Sequence, residues 1–369
     1  MLLNEAQTRS PDDGLRHVGS GRVNASAALF SPATRHQPAK VCVVAEIGVN
    51  HDGYVERALQ LIDAAAEAGA NAVKFQLFDP RRLLSNQALL AGYQKSQEND
   101  VFQMLDRLKL GLDDLRAARL AARRRGLAFI VTPFSVEDIP DLKQLEPDAV
   151  KIASPDAVNP PLLNAAAALG RPMLISTGAA QLTELGYAAG LVRDHAAGGC
   201  LLQCVSSYPT PEQDAALGAI AAIAVRFAVP VGYSDHTTDV MTGALAVAAG
   251  ACLIEKHLTY DRTAAGPDHA ASFEPATFAD YAARIRRAAA MLGPRNKQVL
   301  PVEEDVRLVA RQSLCAKREL PPGHTLTADD LTVKRPGTGI PAAHFDAVVG
   351  RRLLRPVKAN DLLNEGDLV

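Results

Sequence analysis

Six residues with the chemistry of acids, bases and ligands stand near the ends of short apolar runs, far apart along the chain: Glu46, Lys74, Lys151, His236, Glu255 and His257. His236 and His257 close two successive runs. Two imidazoles brought together there would ligate one divalent ion, with water and substrate oxygens filling the remaining positions. A pair of hydrogen-bonded histidines without an ion is the plainer reading of the same spacing. Lys74 and Lys151, with the hydroxyls of Thr132, Ser154, Ser176 and Ser234, would make a cationic lining suited to a small dianion or trianion, since charge-assisted hydrogen bonds are the strong ones. Either lysine could instead form a Schiff base with a carbonyl substrate.

These groups meet only if the intervening chain folds to bring them together. The runs that carry them are VCVVAEIGV (41–49), NAVKFQLF (71–78), LAFIVTPF (127–134), DAVKIAS (148–154), RPMLIST (171–177), GCLLQCVSS (199–207), VPVGYSD (229–235) and ACLIEKHL (251–258). Near-continuous apolar strands are buried on both faces, the mark of a parallel sheet covered by helices. Helix-like segments separate them. In VERALQLIDAAAEAG (55–69) apolar residues recur at helical spacing before a closing Gly69. Ser135 and Asp138 have the spacing of a capping box for a helix over 136–146, and Pro275 that of a first-turn proline opening a helix over 276–292. Eight such units predict an α/β fold, a (β/α)8 TIM barrel. A doubly wound open sheet is the rival, weakened because no G-x-G-x-x-G follows the first run.

Reacting groups in a barrel sit at the C-terminal ends of its strands. There the sequence puts Glu46; Lys74 and Gln76; Thr132; Lys151 and Ser154; Ser176 and Thr177; Ser206, Ser207 and Tyr208; Ser234, Asp235 and His236; and Glu255, Lys256 and His257. Any one of these is at home as a simple cap. Their presence on every strand is the signal. Strand alternation gives Glu255 and His257 one face and Lys256 the other, so Lys256 is not expected in the chemistry.

The remainder of the chain bounds the reading. A formal net charge of −2 gives no reason to expect a nucleic-acid partner, and no apolar run approaches the ~20 residues that span a bilayer. The first residues lack the basic-then-apolar layout of a secretory signal, so a cytoplasmic location is expected. Cys42, Cys200, Cys204, Cys252 and Cys315 are an odd set without C-x-x-C spacing, expected as free thiols in the core. Residues 1–38 are polar and aperiodic and read as a mobile arm, 39–292 as the barrel, 293–312 as a charged linker, and 313–369 as a small, turn-rich second domain with little helix.

The motifs AEIGVNHDG (45–53), AVKFQ (72–76), TPFS (132–135), VKIAS (150–154), ISTG (175–178), SYPTP (207–211), GYSDHT (232–237), IEKHLT (254–259), GPDHAAS (266–272) and VKRPGTGI (333–340) occur in this order. Together they resemble the bacterial sialic acid synthase family, which also includes legionaminate and pseudaminate synthases. The resemblance covers about residues 40–369 and extends to a C-terminal antifreeze-like (SAF) domain. It implies condensation of phosphoenolpyruvate with N-acetylmannosamine or a related acetamido-sugar, with C–O cleavage and release of phosphate. His236 and His257 would hold Mn2+ or Mg2+, with Glu46 and Glu255 in the catalytic group. Lys74, Thr132, Lys151, Ser154, Ser176, Ser206 and Ser234 would hold phosphoenolpyruvate, and Gln76, Asp156, Tyr208 and Asp268 the sugar. Arg335 would reach the sugar of a second subunit in a domain-swapped homodimer.

Three positions depart from the family pattern: Asp156 replaces a usual Glu, Pro155 a frequent Gly, and Ser206 a frequent Asn. They leave the reaction type intact and put the sugar's identity in question. Competing expectations are a synthase for a 2,4-diacetamido-trideoxyhexose, an enzyme acting on a phosphorylated sugar, a lysine-dependent aldolase, and a non-catalytic sugar binder.

Overall fold

The computed structural model describes residues 41–88, 100–293 and 296–369; the arm expected over 1–38 lies outside them. The chain forms two compact units, the first ending at Arg295 and the second running Asn296–Val369.

In the first unit eight parallel strands close on themselves: β1 (Cys42–Gly48), β2 (Ala72–Leu77), β3 (Ala128–Pro133), β4 (Ala149–Ile152), β5 (Met173–Ser176), β6 (Gly199–Cys204), β7 (Val231–Asp235) and β8 (Leu253–His257). Pairing of β1 with β8, Cys42 opposite Leu253 through Glu46 opposite His257, completes the ring and excludes an open doubly wound sheet. Each strand lies within its predicted apolar run.

Alternation along the strands divides the core in two. Val43, Ala45, Ile47, Val73, Phe75, Phe129 and Val131 point outward and pack against the helices. Cys42, Val44, Ala72, Ala128, Ile130, Leu174, Leu202 and Leu253 fill the lower interior. One step further along the same inward faces the side chains become Glu46, Lys74, Thr132, Lys151, Ser176, Ser234 and Glu255, all buried. The barrel is thus apolar at its base and polar at its C-terminal mouth. Lys256 takes the outward face, fully buried, donating to the backbone carbonyl of Asp235 at 3.3 Å, with its ammonium 4.2 Å from the Phe273 ring centre.

The helix Val55–Glu67 ends before Gly69, whose φ of +84° suits the left-handed turn there. Pro275 is the first residue of the helix Pro275–Leu292. The capping box expected at Ser135 does not form. Val136–Asp138 is a 3-10 turn, the helix is Ile139–Leu145, and Ser135 Oγ is buried without a partner. Arg82 pairs with one Asp138 oxygen at 3.1 Å, and the other accepts the Phe134 N–H at 3.3 Å, one residue short of the Ser135 N–H that a capping box would use.

The second unit has its own core of Leu314, Leu320, Leu326, Leu331, Ile340, Leu353, Val357, Leu363 and Leu368. β9 (Ser313–Ala316) and β10 (Leu331–Lys334) form an antiparallel pair, and isolated bridges such as Leu320 with Val357 carry the rest. The stretch read as a charged linker contains a short helix, Glu304–Ala310.

Candidate active site

The mouth of the barrel opens into a cavity of about 380 Å³. Glu46, Lys74, Gln76, Thr132, Lys151, Ser154, Ser176, Ser206, Tyr208, Ser234, His236, Glu255, His257 and Asp268 all line it. Two expected site residues do not. Asp156 sits in the turn Ser154–Val158, where it accepts a hydrogen bond from Asn159 at 2.9 Å. One methylene shorter than Glu, it is satisfied within its own turn. Arg335 belongs to the second unit, where it is exposed and precedes a cis peptide bond to Pro336.

Register sets the floor of the cavity. Glu46 on β1 lies opposite both Lys74 on β2 and His257 on β8, and Ser234 on β7 lies opposite Glu255 on β8. Lys74 Nζ is 2.8 Å from Glu255 Oε1 and 3.3 Å from Glu46 Oε2. Ser234 donates to Glu255 Oε1 at 2.9 Å, Lys151 Nζ is 3.8 Å from the same oxygen, and Gln76 donates to Glu46 Oε1 at 3.1 Å. Gly48, at φ +51°, leaves room for this arrangement: a Cβ there would come within 2.5 Å of Glu46 Oε1.

Shared surroundings give the two carboxylates different proton affinities. Burial pushes Glu46 up to about 7, with Lys74 opposing. Burial acts on Glu255 too, but Lys151 and Lys74 outweigh it and hold that carboxyl well below the ordinary range. The same two lysines thus hold one carboxyl down while burial raises the other. Burial lowers Lys151 to about 8, whereas Glu255 and Glu46 overcome the burial of Lys74 and raise it.

The histidines occupy the β7 and β8 side. Their ring centres are 5.5 Å apart, with the Tyr208 ring 4.0 Å from His236. His236 Nδ1 is 2.7 Å from the Val205 carbonyl oxygen. A carbonyl only accepts, so Nδ1 carries the proton and a neutral ring keeps its Nε2 lone pair free. This is the outer hydrogen bond that metal-ligating histidines ordinarily make. Burial and the neighbouring His236 and Lys74 keep His257 well below its usual value, hence neutral. Burial opposes the charged form of His236 too, but Cys204 and the Val205 carbonyl outweigh it and raise that ring above its usual value, so an ion would have to displace its proton. The ring separation itself fits a shared ion, since nitrogens ~2.1 Å from one centre put the rings about 4.5–5.5 Å apart. Among the described residues no group of three or more His, Cys, Asp or Glu forms a complete protein cage.

Several buried polar atoms here lack hydrogen-bond partners, namely Thr132 Oγ1, Ser176 Oγ and Glu255 Oε2, while Glu46 Oε2 and His257 Nδ1 have only ion-pair contacts, to Lys74 at 3.3 Å and Asp268 at 3.5 Å. An unsatisfied buried polar atom costs ~1–3 kcal/mol. Clustered around one cavity, they are positions that water or a polar ligand would complete.

Some of the lining was not anticipated. Cys204, expected in the core, faces the cavity, with its sulfur 3.8 Å from His236 Nδ1 and accepting from Ser154 at 3.5 Å. Its parity with Cys200 and Leu202 on β6 was the available signal. Val49, Met104, Leu105, Leu108 and Phe134 form an apolar wall, three of them from the helix Val101–Leu108. No strand-end rule points to a helix in a βα loop.

Residues 61–297 match the NeuB family and residues 311–369 the SAF domain. The chain belongs to the NeuB family. It is an enzyme of the NeuB type, and 311–369 is its SAF domain. Among NeuB-like relatives, the N,N'-diacetyllegionaminic acid synthase of Campylobacter jejuni is 36% identical over 332 residues, covering 88% of this chain and 99% of that protein. The N-acetylneuraminate-9-phosphate synthase of Homo sapiens is 32% identical over 327 residues, covering 88% and 91%. The crystal structure of N-acetylneuraminic acid synthetase from Leptospira borgpetersenii serovar Hardjo-bovis, in complex with citrate, superposes with a TM-score of 0.66 at 34% identity, covering 72% of this chain and 90% of that one.

Proposed function

We propose that this NeuB-family enzyme condenses phosphoenolpyruvate with the open-chain aldehyde of N-acetylmannosamine or a related acetamido-sugar, releasing phosphate and a nonulosonic acid. The observation that carries the reading is the cavity lining itself, Lys74 and Lys151 beside the hydroxyls of Thr132, Ser154, Ser176, Ser206 and Ser234, which suits an anion next to a polar second substrate. Lys74, Lys151, Thr132, Ser154, Ser176, Ser206 and Ser234 bind the carboxylate and phosphate. Gln76, Tyr208 and Asp268 orient the sugar. His236 and His257 would hold Mn2+ or Mg2+, which when bound polarises the aldehyde oxygen.

C3 of the enol phosphate forms a bond to the aldehyde carbon, whose oxygen takes a proton and becomes a hydroxyl. C2 is left electron-poor, faced by the carboxylates of Glu46 and Glu255. Water adds at C2 and gives up a proton, for which Glu46, titrating near 7, is the acceptor. The C2–O bond to phosphate then breaks, its electron pair leaving with the phosphate, which takes the proton of the C2 hydroxyl as that carbon becomes the keto group. Holding both reactants in one buried site supplies the proximity contribution.

A narrower reading, a 2,4-diacetamido-trideoxyhexose as the sugar, is favoured by the wall of Val49, Met104, Leu105, Leu108 and Phe134, which suits acyl or methyl groups better than hydroxyls. A sugar phosphate fits less well: among the described lining residues the cations are Lys74 and Lys151, both beside Glu255. A lysine aldolase would need a neutral amine: Lys74 is held protonated by two carboxylates, which leaves Lys151, lowered to about 8 by burial, as the lysine such an enzyme would use, and borohydride trapping with a keto acid tests it. We also propose a homodimer in which Arg335 completes the partner's sugar site. The exposure of Val302, Val306, Leu308 and Val309 at 82%, 58%, 54% and 54% supports an interface along this stretch. Free thiols are consistent with a cytoplasmic location.

The test is phosphate release from phosphoenolpyruvate with N-acetylmannosamine, its 6-phosphate and 2,4-diacetamido-trideoxyhexoses, each with and without EDTA. Sugar-dependent release that EDTA abolishes is expected. No release above the sugar-free rate with any of them rejects the reading.

A further inference from the structure

The NHD of the first motif and the DHAAS of the ninth take no direct part in the chemistry above, with the exception of Asp268, yet the fold joins them. Asn50 Nδ2 donates to the Leu258 carbonyl at 2.9 Å and to Ser272 Oγ at 2.8 Å, bridging both ends of the loop that follows β8. Ser272 in turn donates to the Asp268 carbonyl at 2.6 Å. Inside that loop His269, 1% exposed, lies 3.0 Å from Asp52 Oδ1 through Nε2 and 2.7 Å from Thr259 Oγ1 through Nδ1. Tyr260 donates to the other Asp52 oxygen at 2.8 Å, and Arg57 pairs with it. Gly266 allows the close approach: a Cβ there would come within 2.7 Å of His269 Cδ2.

The loop so held delivers Pro267 and Asp268 to the cavity, with Asp268 Oδ2 3.5 Å from His257 Nδ1. The anion-lining lysines and hydroxyls belong to other strands and make none of these contacts. We propose that Asn50, Asp52 and His269 are positioning residues, a latch between the first and last βα loops that places Asp268 against His257 and thereby governs the second substrate rather than phosphoenolpyruvate. The proposal rests on the synthase reading for which substrate is affected, but not for the latch itself.

Two measurements separate these. Amide hydrogen exchange over 262–270 reads the latch whether or not the enzyme turns over. In His269→Ala and in the near-isosteric Asp52→Asn it should quicken about tenfold, while the barrel strands keep their protection. Steady-state kinetics should show the sugar KM rising about tenfold with the phosphoenolpyruvate KM within about twofold, and the double variant losing clearly less than the product of the two single losses, because the Asp52–His269 contact is shared while Tyr260, Arg57 and Thr259 are not. Unchanged exchange overturns the latch. Equal rises in both KM values overturn its selectivity for the second substrate. A wild-type enzyme with no sugar-dependent phosphate release fails the synthase reading, and exchange still decides the latch.

Discussion

Lys74 Nζ lies 2.8 Å from Glu255 Oε1, and the same ammonium reaches Glu46 Oε2 at 3.3 Å, so one cation on β2 serves carboxylates on β1 and β8. All three side chains are buried. Removing the cation leaves two carboxylates in a low-dielectric interior and an anion site without its centre. Lys74→Met should therefore lose about 100- to 1000-fold in turnover and about 3 kcal/mol or more in stability. Phosphate release and urea unfolding measure the two. Near-native values for both would mean that the pair is not part of the working site.

Glu46 carries a pH signature of its own. Its carboxyl is raised from 4.5 to about 7, so between those values the folded protein binds more protons at this residue than the unfolded chain does. Stability from this group therefore falls as pH rises from about 4.5 to about 7, by up to roughly 3 kcal/mol. Glu46→Gln removes the dependence. Denaturant unfolding of both proteins at pH 5 and pH 8 should show the wild type gaining on the variant at pH 5; parallel behaviour would place the Glu46 carboxyl at an ordinary value.

Gly178 follows β5 and donates its N–H to Ser154 Oγ at 3.0 Å. A Cβ there would stand 2.3 Å from Ser206 Oγ and 2.9 Å from Ser154 Oγ, inside the hydroxyl lining assigned to the anion. Gly178→Ala is expected to raise the KM for phosphoenolpyruvate about tenfold or more and the sugar KM far less. A larger effect on the sugar would reverse the assignment of the two ends of the cavity.

His236 offers a test of the ion without relying on turnover alone. His236→Ala should keep the fold, lose detectable turnover, and bind Mn2+ at least about tenfold more weakly in equilibrium dialysis. Full Mn2+ affinity in the variant would move the ion elsewhere.

The sequence displays the barrel and its mouth because both obey a period of two. Apolar runs broken by a polar residue at each C-terminal end reveal Glu46, Lys74, Thr132, Lys151 and Glu255 one strand at a time, and parity puts Lys256 on the outward face, where the fold has it. What escapes is set by contacts that no local period encodes. Asp156 turns to Asn159. Asp138 accepts the Phe134 N–H in place of that of Ser135. Met104 and Leu108 enter the cavity from a helix in a βα loop, where an apolar face reads as ordinary core.

Arg335 remains the residue whose role depends most on assembly. It is exposed within the second unit, and the SAF domain it belongs to carries its own core, so a change at this side chain should leave folding untouched. If a partner's Arg335 roofs the sugar, Arg335→Ala should raise the sugar KM about tenfold, leave the phosphoenolpyruvate KM within about twofold, and leave the sedimentation coefficient of the dimer unchanged. Mixing Arg335→Ala with His236→Ala then gives the deciding result. In a swapped dimer, hybrids pair an intact barrel with an intact arginine and regain activity, whereas an arginine serving its own barrel gives simple dilution of two impaired enzymes.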